Sequence, residues 1–144
     1  MHQIVRCFLK NSEGKFLLVR HKNKDYWTLP GGHIEKKEDI FSAMKREIME
    51  ELNIKVKFIG EKKGITIDGV KEIINPFITY KIEYTNKKAK KEKRLEYIFL
   101  AKIKSNQIIK TQIDEIDEYK FFTKEEISKL ENTFEQIKEL CKYI

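Results

Sequence analysis

One stretch, from Gly31 to Ile54, constrains this chain more than any other; its sequence is GGHIEKKEDIFSAMKREIMEELNI. Apolar residues recur in it at helical spacing, which predicts one amphipathic helix from about Asp39 to Leu52. On a helical wheel centred on Glu47, Glu51 lies about 40° to one side and Glu50 about 60° to the other. Three carboxylates therefore share one sector beside the apolar stripe, where like charges repel. Such a cluster is expected where a cation binds.

The residues around this cluster favour one kind of cation. No histidine or cysteine lies between Glu47 and Glu51, so only oxygen donors are available, which suits Mg²⁺ or Mn²⁺ and not zinc. Mg²⁺ held by a few carboxylates takes further ligands from the phosphates of a substrate. Arg46 would offset part of the repulsion and orient a carboxylate. The pair Gly31-Gly32 allows the backbone to approach closely ahead of the helix.

With these residues the stretch resembles the signature of the Nudix hydrolases, G-x5-E-x7-R-E-U-x-E-E-x-G-U, where U is a bulky aliphatic residue. Asn53 replaces the signature's last glycine. That position ends the helix in a left-handed conformation, for which asparagine is the usual second choice. The positions that match are Gly32, Glu38, Arg46, Glu47, Ile48, Glu50, Glu51 and Ile54.

The resemblance implies an α/β fold of the Nudix type, an α/β/α sandwich around a mixed sheet, with residues 1–144 as a single domain. Alternating apolar patterns predict strands at residues 3–9, 16–20, 55–59, 77–84, 95–103 and 119–122. Asp68-Gly69 predicts a further hairpin. Thr123 and Glu126 predict a capped helix, and Asn132 with Glu135 predicts a cap for a closing helix.

The activity implied by the resemblance is the hydrolysis of a diphosphate linked to another group. Glu47, Glu50 and Glu51 would hold one or more Mg²⁺ ions, with Mn²⁺ as the alternative. Family members differ in which carboxylate takes the proton of the attacking water. Here the candidates are Glu50 or Glu51 on the helix, Glu115 or Glu118 in a later loop, and Glu96 in its strand; Arg46 completes the catalytic set. The residues expected near the substrate are Arg20, Gly31, Gly32, Glu35 and Glu38, whereas His21 is expected to be a solvated residue at a strand end.

Composition restricts the partners. The formal charge of +7 favours an acidic partner, and both a small phosphorylated nucleotide and a nucleic acid qualify. No apolar run is long enough to span a membrane. Two cysteines in apolar segments predict buried free thiols and a cytoplasmic protein. A homodimer stays open.

Two other functions remain open at this point. An RNA 5′-end pyrophosphohydrolase would use the basic run Asn86–Arg94 to bind its polymer, although blocks of like charge usually form a solvated hairpin tip. A regulatory Nudix domain would bind a nucleotide without cutting it, but such domains often lack signature glutamates, and all are present here. The identity of the nucleoside diphosphate derivative stays open.

Overall fold

Seven strands form one mixed sheet in the computed structural model, which describes residues 1–144. The central path of the sheet runs β4-β6-β1-β2-β7, with β3 paired to β1 and β5 paired to β6. Only β1 and β6 run parallel; the other paired strands are antiparallel. The strands are β1 (His2–Lys10), β2 (Phe16–His21), β3 (Gly31–His33), β4 (Val56–Ile59), β5 (Ile78–Thr85), β6 (Lys91–Ile103) and β7 (Ile116–Phe122).

Helices cover both faces of this sheet. Because side chains alternate along a strand, Cys7 and Phe8 on β1 belong to two different cores. The core around Cys7 contains the apolar side of helix α1 (Ile40–Leu52). The core around Phe8 contains residues of α2 (Lys124–Lys129), α3 (Glu135–Leu140) and the short 3-10 turn Cys141–Tyr143. The predicted α/β/α sandwich around a mixed sheet is confirmed.

Both ends of α1 are capped as its sequence predicts. The Asp39 carboxylate accepts the Ser42 N–H at 2.7 Å at the N-terminus. At the C-terminus Asn53 is left-handed, with φ 52° and ψ 46°, and its N–H donates to the Met49 carbonyl oxygen at 3.0 Å. The asparagine in place of glycine therefore keeps the backbone conformation that the signature requires.

The chain departs from the predicted elements in several places, among them strand β3, which the sequence pattern does not predict, and the start of β7 at Ile116 instead of residue 119. Residues 60–77 form no hairpin strands, and the Glu72 carboxylate accepts the N–H of Ile65, at the start of the predicted hairpin, at 3.2 Å, as well as those of Lys63 and Gly64. Strand β6 begins at Lys91, inside the basic run, instead of at residue 95. The predicted cap at Asn132 is wrong: α3 begins after Phe134 without a side-chain cap, and the Asn132 amide donates to the Asp25 carbonyl oxygen at 2.9 Å.

None of the helices combines the length and the apolar character needed to cross a membrane.

Candidate active site

Arg46 lies at the centre of the charged cluster on α1. Its guanidinium holds Glu38 through two hydrogen bonds, with Nε 2.7 Å from Oε2 and Nη2 3.0 Å from Oε1. Nη1 also donates to Glu47 at 2.9 Å and to Glu50 at 3.2 Å, and Nη2 donates to the His33 carbonyl oxygen at 3.0 Å. The hydrogen bond with Glu38 is the main reason that the pKa of Arg46 is raised and the pKa of Glu38 is lowered. One cation thus aligns three carboxylates and fixes them to the end of β3.

Glu51 connects α1 to the other end of β3. Its side chain is almost completely buried, and its Oε1 accepts the Gly31 N–H at 2.7 Å. His21, at the end of β2, places Nε2 2.9 Å from Oε2. A buried carboxylate is costly unless it is hydrogen-bonded, and both oxygens of Glu51 have a partner. The expectation that His21 is a solvated strand end is therefore wrong.

Glu47 packs directly against Gly32. A Cβ atom at position 32 would lie 2.5 Å from Glu47 Oε1, so only glycine leaves room for the carboxylate where it stands. Burial raises the pKa of Glu47; the hydrogen bond from Arg46 opposes this shift, and the charge of Glu51 adds to it. The fold thus holds an ionisable group in surroundings that disfavour its charge unless a cation is near.

A cleft of about 430 Å³ opens beside this cluster. Its walls include Glu47, Glu50 and Arg46 from α1 and all of β3. Glu115, in the loop before β7, also lines it. Two arginines from the sheet, Arg6 on β1 and Arg94 on β6, line the cleft as well, together with Ile4, His21 and Glu35.

The remaining predicted site residues divide into two groups. Glu35 lines the cleft, and its Oε1 lies 3.6 Å from Arg46 Nη1. Arg20 and Glu118 are not among the residues that line the cleft and instead contact each other, with Arg20 Nη2 3.1 Å from Glu118 Oε2. Arg20 Nη1 also lies 2.8 Å from an oxygen of Asp117.

The structure adds two charged residues to the site that sequence reasoning does not assign to the substrate, Arg6 and Arg94. Arg6 and Arg94 face the cleft and share the buried carboxylate of Glu96. The basic run suggests that Arg94 belongs to an exposed hairpin tip, but the structure places it in the cleft. The sequence contains an indication of both residues. Arg6 interrupts the apolar run QIVRCFL, and the alternation of side chains along a strand puts Arg94 on the same side as the apolar residue Ile98.

The chemistry of the cluster fits a hard divalent cation. The side chains offer carboxylate oxygens, which Mg²⁺ and Mn²⁺ prefer, and burial raises the pKa of Glu47, so a cation bound there would favour its charged form. No group of three or more acidic, histidine or cysteine side chains is already gathered around a common point, since Arg46 draws Glu47 and Glu50 toward itself. A cation would compete with Arg46 for these oxygens.

Comparison with known proteins identifies the family. The family model described as NUDIX domain matches residues 1–143. This chain belongs to the Nudix family. Nudix hydrolases act on pyrophosphate bonds and generally use divalent metal ions.

Several Nudix proteins resemble the chain in sequence or fold. Phosphatase NudJ of Escherichia coli (strain K12) is 40% identical over 55 residues, which are 37% of this chain and only 35% of NudJ. A NUDIX-family hydrolase from Clostridium perfringens superposes with a TM-score of 0.72 at 24% identity, covering 99% of this chain and 94% of the other. The Ap4A hydrolase of C. elegans, in a binary complex, gives a TM-score of 0.72 at 19% identity, covering 99% and 93%. These two structures support the fold alone.

Proposed function

We propose that this protein hydrolyses a diphosphate bond in a nucleoside diphosphate derivative or a nucleoside triphosphate, with Mg²⁺ as its cofactor and Mn²⁺ as a substitute. The observation that carries the proposal is the cleft itself. Carboxylates of α1 and two arginines of the sheet line the same cleft, so a phosphate chain held by a metal at the carboxylates would also meet cationic side chains. Residues 1–144 act as one Nudix domain, and the buried free thiols of Cys7 and Cys141 are compatible with a reducing cytoplasm.

Glu47, Glu50 and Glu51 are the residues that would hold the metal. Bound there, Mg²⁺ would neutralise charge on the phosphate oxygens and lower the pKa of a water molecule. Glu47 and Glu50 line the cleft directly. Glu51 does not line the cleft, and its two oxygens already contact the Gly31 N–H and His21 Nε2; it would hold the metal from a buried position next to Glu47 and Glu50. Arg46 holds Glu47 and Glu50 in a defined arrangement, and a bound cation would compete with it for their oxygens.

The reaction needs one proton acceptor. The water oxygen forms a bond to phosphorus, the bridging P–O bond breaks, and the bridging oxygen leaves with the other phosphate and the bonding electron pair. The proton of the water goes to a carboxylate. We infer that Glu115 takes it, since Glu115 lines the cleft and its carboxylate has no hydrogen bond or ion pair to the protein. Glu50 is the second candidate, whereas Glu118 is engaged by Arg20.

The backbone of β3 and the carboxylates behind it are proposed to shape the substrate site. Gly31 and Gly32 bring the backbone close to the phosphates, and Glu38 and Glu35 hold Arg46 in place. Arg20 would contact a substrate only if that substrate extends beyond the cleft.

A panel of nucleoside diphosphate derivatives and nucleoside triphosphates, incubated with Mg²⁺, tests the proposal. We expect at least one to be cleaved into two phosphate-terminated products, with no turnover in EDTA and restoration by added Mg²⁺. Hydrolysis in ¹⁸O-labelled water would place the label on phosphorus. Binding of nucleotides without turnover at any Mg²⁺ or Mn²⁺ concentration would contradict the proposal and favour a regulatory domain.

One observation favours a second function, the hydrolysis of an RNA 5′ end. Lys87, Lys88, Lys90 and Lys91 are exposed at the turn between β5 and β6. That turn is ordered by Asn86, whose side-chain oxygen accepts the N–H of Lys88 and of Lys90. An exposed, ordered cationic turn could contact a phosphate backbone, and a steep salt dependence of RNA binding would reveal it.

A further inference from the structure

A buried charge cluster spans the neighbouring strands β5, β6 and β1 beside the cleft. Glu96, on β6, is almost completely buried, and Tyr80 of β5 donates its hydroxyl to Glu96 Oε1 at 3.0 Å. The other oxygen, Oε2, lies 2.9 Å from Arg94 Nε and 3.5 Å from Arg6 Nε. Two guanidinium groups therefore share one carboxylate, and the cluster keeps one positive charge in excess. The Arg94 contact is close but is not aligned as a hydrogen bond.

Both arginines use Nε to contact Glu96, which leaves most of their terminal nitrogens free. Arg6 donates one of them, Nη1, to the Leu29 carbonyl oxygen at 3.0 Å. The terminal nitrogens of Arg94 make no hydrogen bond within the chain, and its guanidinium lies over the Tyr84 ring, 5.2 Å from the centroid. The contacts of both Nε atoms with the buried Glu96 carboxylate orient these N–H groups. Such prepared guanidinium groups suit an anion with several oxygens, above all a phosphate.

Strand register explains why the two arginines meet. In the parallel pairing of β1 with β6, Ile4 is opposite Glu96 and Arg6 is opposite Ile98, so both arginines lie on the side of the sheet that carries Phe8 and Ile98. Helix α1 packs on the other side. The cleft is lined by Glu47 and Glu50 of α1, by β3 and by both arginines, so it joins carboxylates from one side of the sheet to arginines from the other.

We propose that Arg6 and Arg94 bind a third phosphate of the substrate, beyond the two that the metal would hold. The inference rests on the proposed function and narrows it to substrates with at least three phosphoryl groups, in preference to diphosphates linked to an uncharged group. Glu96 and Tyr80 are positioning residues, since they hold the guanidinium groups and do not reach the phosphate themselves.

Binding of inorganic pyrophosphate in EDTA isolates this site from the metal site. Without a divalent cation, the carboxylates of α1 repel an anion, so the arginines are the cationic wall that remains. Calorimetry should detect binding of pyrophosphate by the wild-type protein and at least tenfold weaker binding by R94Q. R94K should show intermediate binding, because lysine keeps the charge but lacks the paired N–H donors of the guanidinium group. E96Q should bind pyrophosphate more weakly, because it removes the carboxylate that holds both guanidinium groups in place; binding as tight as in the wild type would contradict the positioning role of Glu96.

Lys93 provides a matched control for the loss of charge. It lies next to Arg94 but on the opposite side of the strand, exposed, with Nζ 3.7 Å from Glu83 Oε1. K93Q should bind pyrophosphate as the wild type does. Equal losses in K93Q and R94Q, or no binding by a wild-type protein at millimolar pyrophosphate, would overturn the inference. Thermal melting checks that R94Q and E96Q are folded, and R94K remains the test if either is not.

Steady-state kinetics separate the inference from the proposed function. For R94Q we expect KM for a nucleoside triphosphate to rise at least tenfold, KM for the matching diphosphate to change less than threefold, and kcat to change little for both. An equal rise in KM for both substrates would overturn the inference and leave the hydrolase assignment intact. Selective loss of pyrophosphate binding in R94Q, without turnover of any substrate by the wild type, would support the anion site and contradict the hydrolase assignment.

Discussion

The Glu51 carboxylate accepts the Gly31 N–H at 2.7 Å, across 20 residues of sequence. Helix α1 and strand β3, the two ends of the signature, are therefore joined by a buried hydrogen bond. Gly31 has φ +152°, and the chain turns there into its pairing with β1. Glu51 thus has a structural task, holding β3, in addition to the metal binding proposed for it.

The adjacent glycines of β3 are expected to tolerate alanine very differently. At Gly31 a Cβ atom would lie 2.0 Å from the backbone oxygen of Val5, and φ there has a value that residues with a side chain rarely adopt. Because the obstacle is backbone of a paired strand, it cannot move aside without disturbing the sheet. We expect Gly31→Ala to lower the free energy of unfolding by about 2–4 kcal/mol. At Gly32 the obstacle is the end of the Glu47 side chain, which can move. Gly32→Ala should remain folded and lose activity on the order of 10²-fold, because the carboxylate is displaced.

Thermal melting and Mg²⁺-dependent turnover measured on the same two preparations distinguish these effects. A stable, active Gly31→Ala protein would mean that β3 does not approach β1 as described. Full activity of Gly32→Ala would mean that Glu47 has no role in metal binding at the position it occupies.

Glu47→Gln should stabilise the metal-free protein while it abolishes Mg²⁺ activation. Burial raises the pKa of Glu47 above its ordinary value of 4.5, so the folded state disfavours the ionised carboxylate at pH 7. Removing that charge relieves the penalty. We expect Tm in EDTA at pH 7 to rise by roughly 2–4 °C, which corresponds to about 1 kcal/mol in a domain of this size.

The stability gained by Glu47→Gln should depend on pH. A group with a raised folded pKa lowers stability above that pKa, and the loss disappears as the pH falls through it toward 4.5. The advantage of Glu47→Gln should therefore shrink between pH 7 and pH 4.5. A lower Tm for the variant at pH 7, or a gap that widens on acidification, would show that the hydrogen bond from Arg46 outweighs burial.

The sequence predicts the local parts of this site and misses the non-local ones. The helical sector of Glu47, Glu50 and Glu51 and the left-handed Asn53 follow from spacing within one helix, and the structure contains that helix and that conformation. The meeting of Arg6 with Arg94 depends on a parallel pairing between strands far apart in the chain. Periodicity determines which side of a strand a residue occupies, but it does not determine which strand becomes its neighbour.

Loops were the least predictable part for a related reason. Residues 65–74 have the alternation and the Asp-Gly turn of a hairpin, yet they form only a single bridge, between Ile67 and Val70. The carboxylate of Glu72 accepts the N–H of Ile65, a group that a strand partner would otherwise use, and those of the two preceding residues. A side chain that satisfies the backbone in this way leaves no periodic trace in the sequence.

Glu115→Gln and Glu118→Gln form a matched pair for the proton acceptor. Glu115 lines the cleft, whereas Glu118 is bonded to Arg20 outside it. Removing a general base typically costs 10²–10⁴-fold. We expect a loss of about that size in kcat for Glu115→Gln, with loss of the acidic limb of the pH profile, and less than threefold for Glu118→Gln. The same comparison with Glu50→Gln decides between the helix and the loop, since retention of the acidic limb in Glu115→Gln would transfer the role to Glu50.

Four exposed lysines provide the last test, which weighs a small nucleotide substrate against RNA. Lys87, Lys88, Lys90 and Lys91 lie at or beside the turn between β5 and β6. We expect their replacement by serine to leave hydrolysis of a small nucleotide almost unchanged at moderate salt, since exposed charges farther than about 10 Å apart are largely screened at 0.1 M.

An RNA substrate would respond differently to this change. Each lost phosphate contact reduces the slope of log affinity against log salt by roughly 0.7 to 0.9, so four contacts would lower it by about 3. Titration of wild-type and serine-substituted protein with single-stranded RNA at several salt concentrations measures the slope directly. We expect no difference between the two proteins. A slope that falls by about two or more, together with faster cleavage of a triphosphorylated RNA end than of the free nucleotide, would make the RNA end the substrate.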